Sequence, residues 1–421
     1  MKRFLITAVA LLCAVCAFSQ DAKNPELEAL LRENILRTGV NTNPYEYLPA
    51  AETPVPKGFK PFYISHYGRH GSRSDWEGDI YAQALDMYSR AHEAGLLTEE
   101  GEYAYATIAE VIRLHNHMDG RLTPRGAREH RQIAGRMYKK YRKIFRDGRQ
   151  VRAVSSTVPR CLVSMAAFTG ELLSLDKKMN IGWDTGDRFM EYCSSNDPKD
   201  LHDDAYVIIL KHADEHPADT AQFLRRIFKD PAQCRAQVGS PAEMLDGTFA
   251  VAAICGSFDL GDRMLRIFTE DDRYWYAQNI SLNLYLRQCN SLLFGERRMA
   301  VPESDNFVND VVKRADEAIA KGDIAADLRF GHDYQLLAVC SRIGIKGIAE
   351  RMTVEECLNW PAYLYTPFAA NLQMIFYKNK KDEVLVKFYI NERETSLTTL
   401  PGGPYYKWED VKEAFKKAPE K

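Results

Sequence analysis

Apolar and polar positions along the chain change their period several times, and the changes divide it into strands and helices. Residues 60–66 read Lys-Pro-Phe-Tyr-Ile-Ser-His, aromatic and β-branched. They run into Tyr67-Gly68-Arg69-His70-Gly71, which predicts a strand ending at a loop. Helical spacing carries residues 80–94 and 101–114, and Thr123-Pro124 predicts the N-cap and first position of a third helix. A second strand, 150–155, ends at Ser156-Thr157 before an apolar helix over 158–175. A third, 325–330, reaches Gly331-His332-Asp333 before a helix over 334–343. Two strand-like stretches, 370–377 and 384–390, flank a charged Lys-Asn-Lys-Lys-Asp turn and predict a hairpin. Between the second and third junctions the period is helical, as at 220–228, 241–251 and 271–293, with no comparable strand.

Three strand-to-helix junctions, each with polar residues at the turn, predict an α/β fold. Open α/β sheets bind ligands beyond the carboxyl ends of their strands, where helix N-termini aim N–H groups at anions. The pattern therefore nominates one site built from three distant segments. The expected division is a signal peptide at 1–19, a core at 20–182 and 302–421, and a mainly α-helical cap insertion at 183–301.

The signal-peptide reading rests on Lys2 and Arg3, an apolar run over 4–18, and Ala17 and Ser19 before Gln20. It predicts export, to the periplasm or beyond the cell. Cys13 and Val15 stand where a lipid-attachment signal at Cys16 would have Leu and a small residue. No later stretch approaches the roughly 20 apolar residues of a membrane span. With 56 basic and 58 acidic side chains, and a net charge of minus four once Lys2 and Arg3 are removed, no global field attracts nucleic acid. Any bound anion must be held by local cations. Seven cysteines follow the leader (Cys161, Cys193, Cys234, Cys255, Cys289, Cys340 and Cys357), scattered without metal spacing, so they read as buried apolar side chains with room for one or two bridges.

A phosphate monoester dianion repels nucleophiles, so a site that attacks it must first neutralise its oxygens with fixed donors. Arg69, Arg73 and Arg160 stand at the junctions, and arginine stays charged and donates in pairs. His70, between the first two, offers an imidazole nucleophile. Asp333 suits the proton donor that a poor alcohol leaving group needs, starting protonated, and His332 a further donor to phosphate. This chemistry requires no metal or organic cofactor, and the partner is a small-molecule phosphate monoester.

These residues resemble a known family. Arg69-His70-Gly71-Ser72-Arg73 is similar to the RHGxR signature of the histidine acid phosphatases, and His332-Asp333 to their HD motif. Leu122-Thr123-Pro124-Arg125-Gly126 resembles their LTxxG helix start, and Ser156 to Arg160 with Ser164 and Phe168 resembles the segment that carries their third phosphate-binding arginine. The resemblance covers roughly residues 60–340. It implies a phosphoglycerate-mutase-like three-layer α/β/α core with a mainly α-helical cap, and a phosphohistidine intermediate. Ala369-Ala370-Asn371-Leu372 and Phe268-Thr269-Glu270 resemble bacterial members near phytases and multiple inositol polyphosphate phosphatases. Many of the latter have HAE where this chain has His332-Asp333. Phytate or another inositol phosphate leads the expected substrates, ahead of sugar phosphates or broad acid phosphatase activity. A phosphoryl mutase, or a phosphate-binding protein without turnover, are the rival readings.

Other features have plainer readings. His66 in a strand reads as structural, and His115, His117 and His130 lack the spacing and companion ligands of a metal site. The basic run 139–143 reads as a solvated helix face, and Tyr274-Trp275-Tyr276 as packing.

Overall fold

The computed structural model describes residues 23–75, 78–194, 199–294 and 301–417. The segment read as a signal peptide, with Cys16, lies outside them. Among the described residues eight strands form one mixed sheet: β1 (Lys60–Arg69), β2 (Gln150–Ser155), β3 (Asn180–Thr185), β4 (Ile324–Gly331), β5 (Asn371–Lys378), β6 (Val384–Ile390), β7 (Arg393–Thr395) and β8 (Tyr405–Lys407). Their order is β3-β2-β4-β1-β5-β6-β7, with β8 also paired to β6. The first four of that order are mutually parallel, and β5 and β6 form the antiparallel hairpin.

Register decides where the site falls. Arg69 pairs with Gly331 across β1 and β4, and Ser155 with Phe330 across β2 and β4. The residues after these strands, His70, His332 and Ser156, therefore leave the sheet along one edge. That is the place an open α/β sheet keeps for ligands.

Alternation along the strands builds two apolar layers. On one face Ile64, Ile375 and Tyr377 meet α4 (Pro124–Tyr141) and α5 (Pro159–Leu175) through Ile133, Met137, Met165 and Phe168. On the other Tyr63, Tyr67, Met374 and Phe376 join Phe307, Val311, Leu336 and Trp408, from helices Val301–Lys321, Asp333–Ile343 and Trp408–Lys416. The core thus has the three α/β/α layers expected. Asp327 on β4 lies in this second layer and binds Arg152, Arg314 and the Tyr63 hydroxyl.

Two features differ from expectation. The boundary at 182/183 falls inside β3, a parallel edge strand that the helical reading of 183–301 did not contain. In it Ile181 alone is buried, so no alternation announces it. A separate apolar cluster also unites α2 (Asp79–Glu93) and α3 (Glu99–His115) with helices Thr220–Ile227 and Pro241–Ile254, through Tyr88, Ile108, Phe223 and Leu245. The helical body beside the sheet therefore takes material from residues 79–115 as well as from the expected insertion. Helix Glu270–Gln288 instead sends Leu282 and Tyr285 into the sheet-facing cluster.

All seven described cysteines are unpaired and buried. Among the described residues no helix is long and apolar enough to cross a membrane.

Candidate active site

Beyond β1 the chain turns sharply, and the turn is held from four directions. Gly331 O accepts from His70 N–H at 2.9 Å, and His70 O accepts from Ala369 N–H at 2.9 Å. Ala370 O accepts from Arg69 N–H at 2.8 Å. The tail tract ahead of β5 thus acts as a backbone brace, and Ala369 takes a left-handed φ of 56° to do so. Gly71 N–H donates to Ser164 Oγ on α5 at 3.1 Å, and Ser72 donates its N–H and hydroxyl to the buried Glu129 carboxylate on α4. A Cβ on Gly71 would lie 2.5 Å from Gly126 O, and one on Gly126 would strike the Ser72 backbone. Two glycines are needed because two backbones touch.

His70 is buried, and its Nδ1 lies 3.0 Å from Gly71 O. A carbonyl only accepts, so Nδ1 carries the hydrogen and Nε2 keeps its lone pair. Burial pushes the imidazole pKa well below its usual value, and the charges of Arg69 and Arg160 push the same way. His70 is a neutral base with a fixed tautomer. Its ring sits 5.7 Å from that of His332 and 5.9 Å from Phe368.

Arg69 is buried, donates to Asn41 O at 2.7 Å and Thr366 O at 2.6 Å, and lies over the Phe368 ring. Burial lowers its pKa to about 10 against the pull of Asp333. It remains a cation. Arg160 opens α5, where burial lowers it, and its Nη2 lies 3.4 Å from His332 Nδ1. Arg73 donates to Ser74 O and to Asp75, while its charge reaches His70, Arg160 and Asp333.

His332 is pushed down to about 3 by burial and by Arg160. Since arginine only donates, His332 Nδ1 accepts, and Nε2–H faces Ser156 Oγ at 3.2 Å. Tyr67 Oη braces this junction by accepting His332 N–H at 2.9 Å. Tyr334 stacks on the imidazole with rings 4.8 Å apart.

Asp333 differs from the expectation that it starts protonated. Burial alone would raise its pKa, but Arg69, the Asn41 amide and His332 outweigh burial and hold it below the usual carboxylate range. Its Oδ2 lies 3.0 Å from Arg69 Nη2 and 3.1 Å from Asn41 Nδ2. The Asp333 carboxyl group is thus held toward its ionised form.

All six residues nominated from sequence, Arg69, His70, Arg73, Arg160, His332 and Asp333, thus lie at one sheet edge. Sequence reasoning missed Asn41, whose tract Asn41-Thr42-Asn43 reads only as a polar turn, and the brace role of Ala369 and Ala370. Three further histidines add no side chain to this cluster, although His130 lies against the Arg69 backbone. His66 and His130 pack against Phe168 and Phe330, with burial holding each at about 3, and His115 meets Asp119 and Tyr81. Trp275 and Tyr276 line a cavity of about 770 Å³ in the helical body, away from this site.

No family model matches the chain. Multiple inositol polyphosphate phosphatase 1 of Gallus gallus is 24% identical over 443 residues, covering 96% of this chain and 92% of that protein. The chain is related to the histidine acid phosphatases. Solved structures agree on the fold. Multiple inositol polyphosphate phosphatase of Bifidobacterium longum, in complex with inositol hexasulfate, superposes with a TM-score of 0.68 at 16% identity, covering 90% of this chain and 97% of that one. The phytase of D. castellii gives 0.64 at 15% identity, covering 94% and 88%. The fold thus matches that of histidine acid phosphatases and phytases.

Proposed function

We propose that this chain is an exported phosphomonoester hydrolase that acts through a phosphohistidine on His70, with inositol phosphates such as phytate as its substrates. The observation that carries the reading is a neutral imidazole with a fixed tautomer, ringed by Arg69, Arg73 and Arg160, with a carboxyl group beside it. The substrate class follows from the Gallus gallus relative and from the inositol hexasulfate held by the Bifidobacterium longum protein. Export rests on the leader-like first 19 residues.

The three guanidiniums take the non-bridging oxygens of the phosphate, and His70 Nε2 attacks phosphorus opposite the ester oxygen. The N–P bond forms as the P–O bond to the alcohol breaks, and Asp333 gives its proton to the departing oxygen. Water then attacks the phosphohistidine while the Asp333 carboxylate takes its proton, and inorganic phosphate and free His70 are restored. Substrate itself supplies the acid. A phosphate that claims Arg69 loosens the pairing that keeps Asp333 ionised, and its negative charge favours a proton on the carboxylate. Mildly acidic pH assists by delivering that proton. Once phosphate draws Arg160 away, the hydrogen of His332 can move to Nδ1 and donate, with the Ser156 hydroxyl turning to donate to Nε2. The helical body shapes the room left for the alcohol.

His70→Ala tests the reading on an aryl phosphate. Turnover should fall by at least about 10³-fold while inorganic phosphate still binds. Wild-type turnover in that variant would exclude the mechanism.

A further inference from the structure

Ahead of β1, the 3-10 segment Ile35–Thr42 touches both members of the ion pair at the site. Asn41 O accepts from Arg69 Nη1, and the Asn41 side-chain amide donates to Asp333 Oδ2 at 3.1 Å. The segment is fixed in place. Val40 is fully buried with a left-handed φ of 48°, Thr42 Oγ1 donates to Gly39 O at 2.8 Å, and Asn43 O accepts from Phe368 N–H at 2.8 Å.

The two oxygens of Asp333 are consequently unequal. Oδ2 faces two groups that can only donate, Arg69 Nη2 and Asn41 Nδ2. Among the described residues Oδ1 accepts the Tyr334 N–H. A proton on Oδ2 would break one of its two bonds, whereas a proton on Oδ1 breaks none. From β1 and its turn Asp333 also faces Arg69 and Arg73, from α5 Arg160 and Cys161, and from its own junction His332 and Tyr334. Asn41 adds the uncharged side-chain donor, which keeps its hydrogen bond when substrate takes the arginines.

We propose that Asn41 is a positioning residue for proton transfer, holding Oδ2 as an acceptor so that Oδ1 carries the acidic hydrogen and favouring the carboxylate that activates water. The role rests on the hydrolase reading above. It predicts that removing the amide donor makes Asp333 harder to ionise. A merely structural role would change rates or stability without moving that ionisation.

The test measures inorganic phosphate binding by calorimetry below about pH 6, where phosphate is largely a monoanion. In the wild type, affinity should fall as pH rises through Asp333 ionisation, because the carboxylate competes for Arg69, and the fall should vanish in Asp333→Asn. In Asn41→Leu the fall should move up by roughly one pH unit. In Asn41→Asp, where a like charge replaces the donor, it should move at least as far. The alkaline limb of alkyl phosphate hydrolysis, which needs the Asp333 proton, should move the same way in Asn41→Leu. Either variant suffices if the other fails to fold. A fall that stays at the wild-type pH in a folded variant overturns the role of Asn41. A wild type that binds phosphate but releases none from any ester overturns the hydrolase reading instead, and the binding shift still decides for or against Asn41.

Discussion

Arg69 Nη2 stands 3.0 Å from Asp333 Oδ2, so the cation proposed to take phosphate is already paired with the group proposed to give a proton. Burying both charges is costly, and their attraction, with the hydrogen bonds to Asn41 and Thr366, offsets part of that cost. The pairing also makes the pocket self-neutralising. In the proposed chemistry phosphate displaces the carboxylate from the guanidinium, and that exchange drives Asp333 toward its acid form.

Asp333→Asn separates the two halves of this arrangement. The amide cannot deliver a proton, so hydrolysis of inositol or alkyl phosphates should fall by about 10²- to 10⁴-fold. An aryl phosphate, whose leaving group departs without help, should lose much less. Parallel steady-state measurements on both esters decide the matter, and equal losses would refute the proton-donor assignment.

Stability should drop on mild acidification. His66, His130 and His332 titrate at about 3 in the folded protein, and His70 well below its usual value, through burial first. Their unfolded value is about 6.5, so the unfolded chain takes up protons that the native state refuses. The stability present above about pH 6.5 is therefore lost progressively as pH falls toward 3. Melting curves of the ligand-free protein at several pH values read this slope. His130→Phe, which keeps a ring against Phe168 and Phe330, should flatten it, and an unchanged slope would remove His130 from the account.

Gly126→Ala tests the contact behind the turn that carries His70. The added methyl meets the Ser72 backbone, which cannot swing aside as a side chain does. Stability should fall by about 1–3 kcal/mol. Displacement of Ser72 and Arg73 should lower kcat/KM by about 10²-fold. Denaturant titration with kinetics on the same preparation checks both. Full activity would mean that the turn holds its shape without this contact.

Much of this design is legible in the sequence because strong local signals coincide with it. The strands before His70, Ser156 and His332 are apolar and end at turns, so their junctions can be read, and register alone then gathers them. β3 escapes because an edge strand with one buried residue carries no alternation. The helices of residues 79–115 and 220–254 can be read one by one, but an apolar stripe does not name its partner, so their union in one cluster is a tertiary fact. The charge of Asp333 escapes for a similar reason. It depends on an arginine and an asparagine from two other parts of the chain, and no window around residue 333 contains either.

Arg69 donates to the carbonyl of Thr366, a partner 297 residues later, and Asn41 reaches Asp333 across 292. The pocket therefore has no early form during synthesis. Closing such distant contacts comes late and slowly in folding, and a nascent chain that has not yet produced Thr366 to Ala370 has neither the seat for Arg69 nor the brace for His70. An unfinished chain is thereby kept inactive with no separate inhibitor.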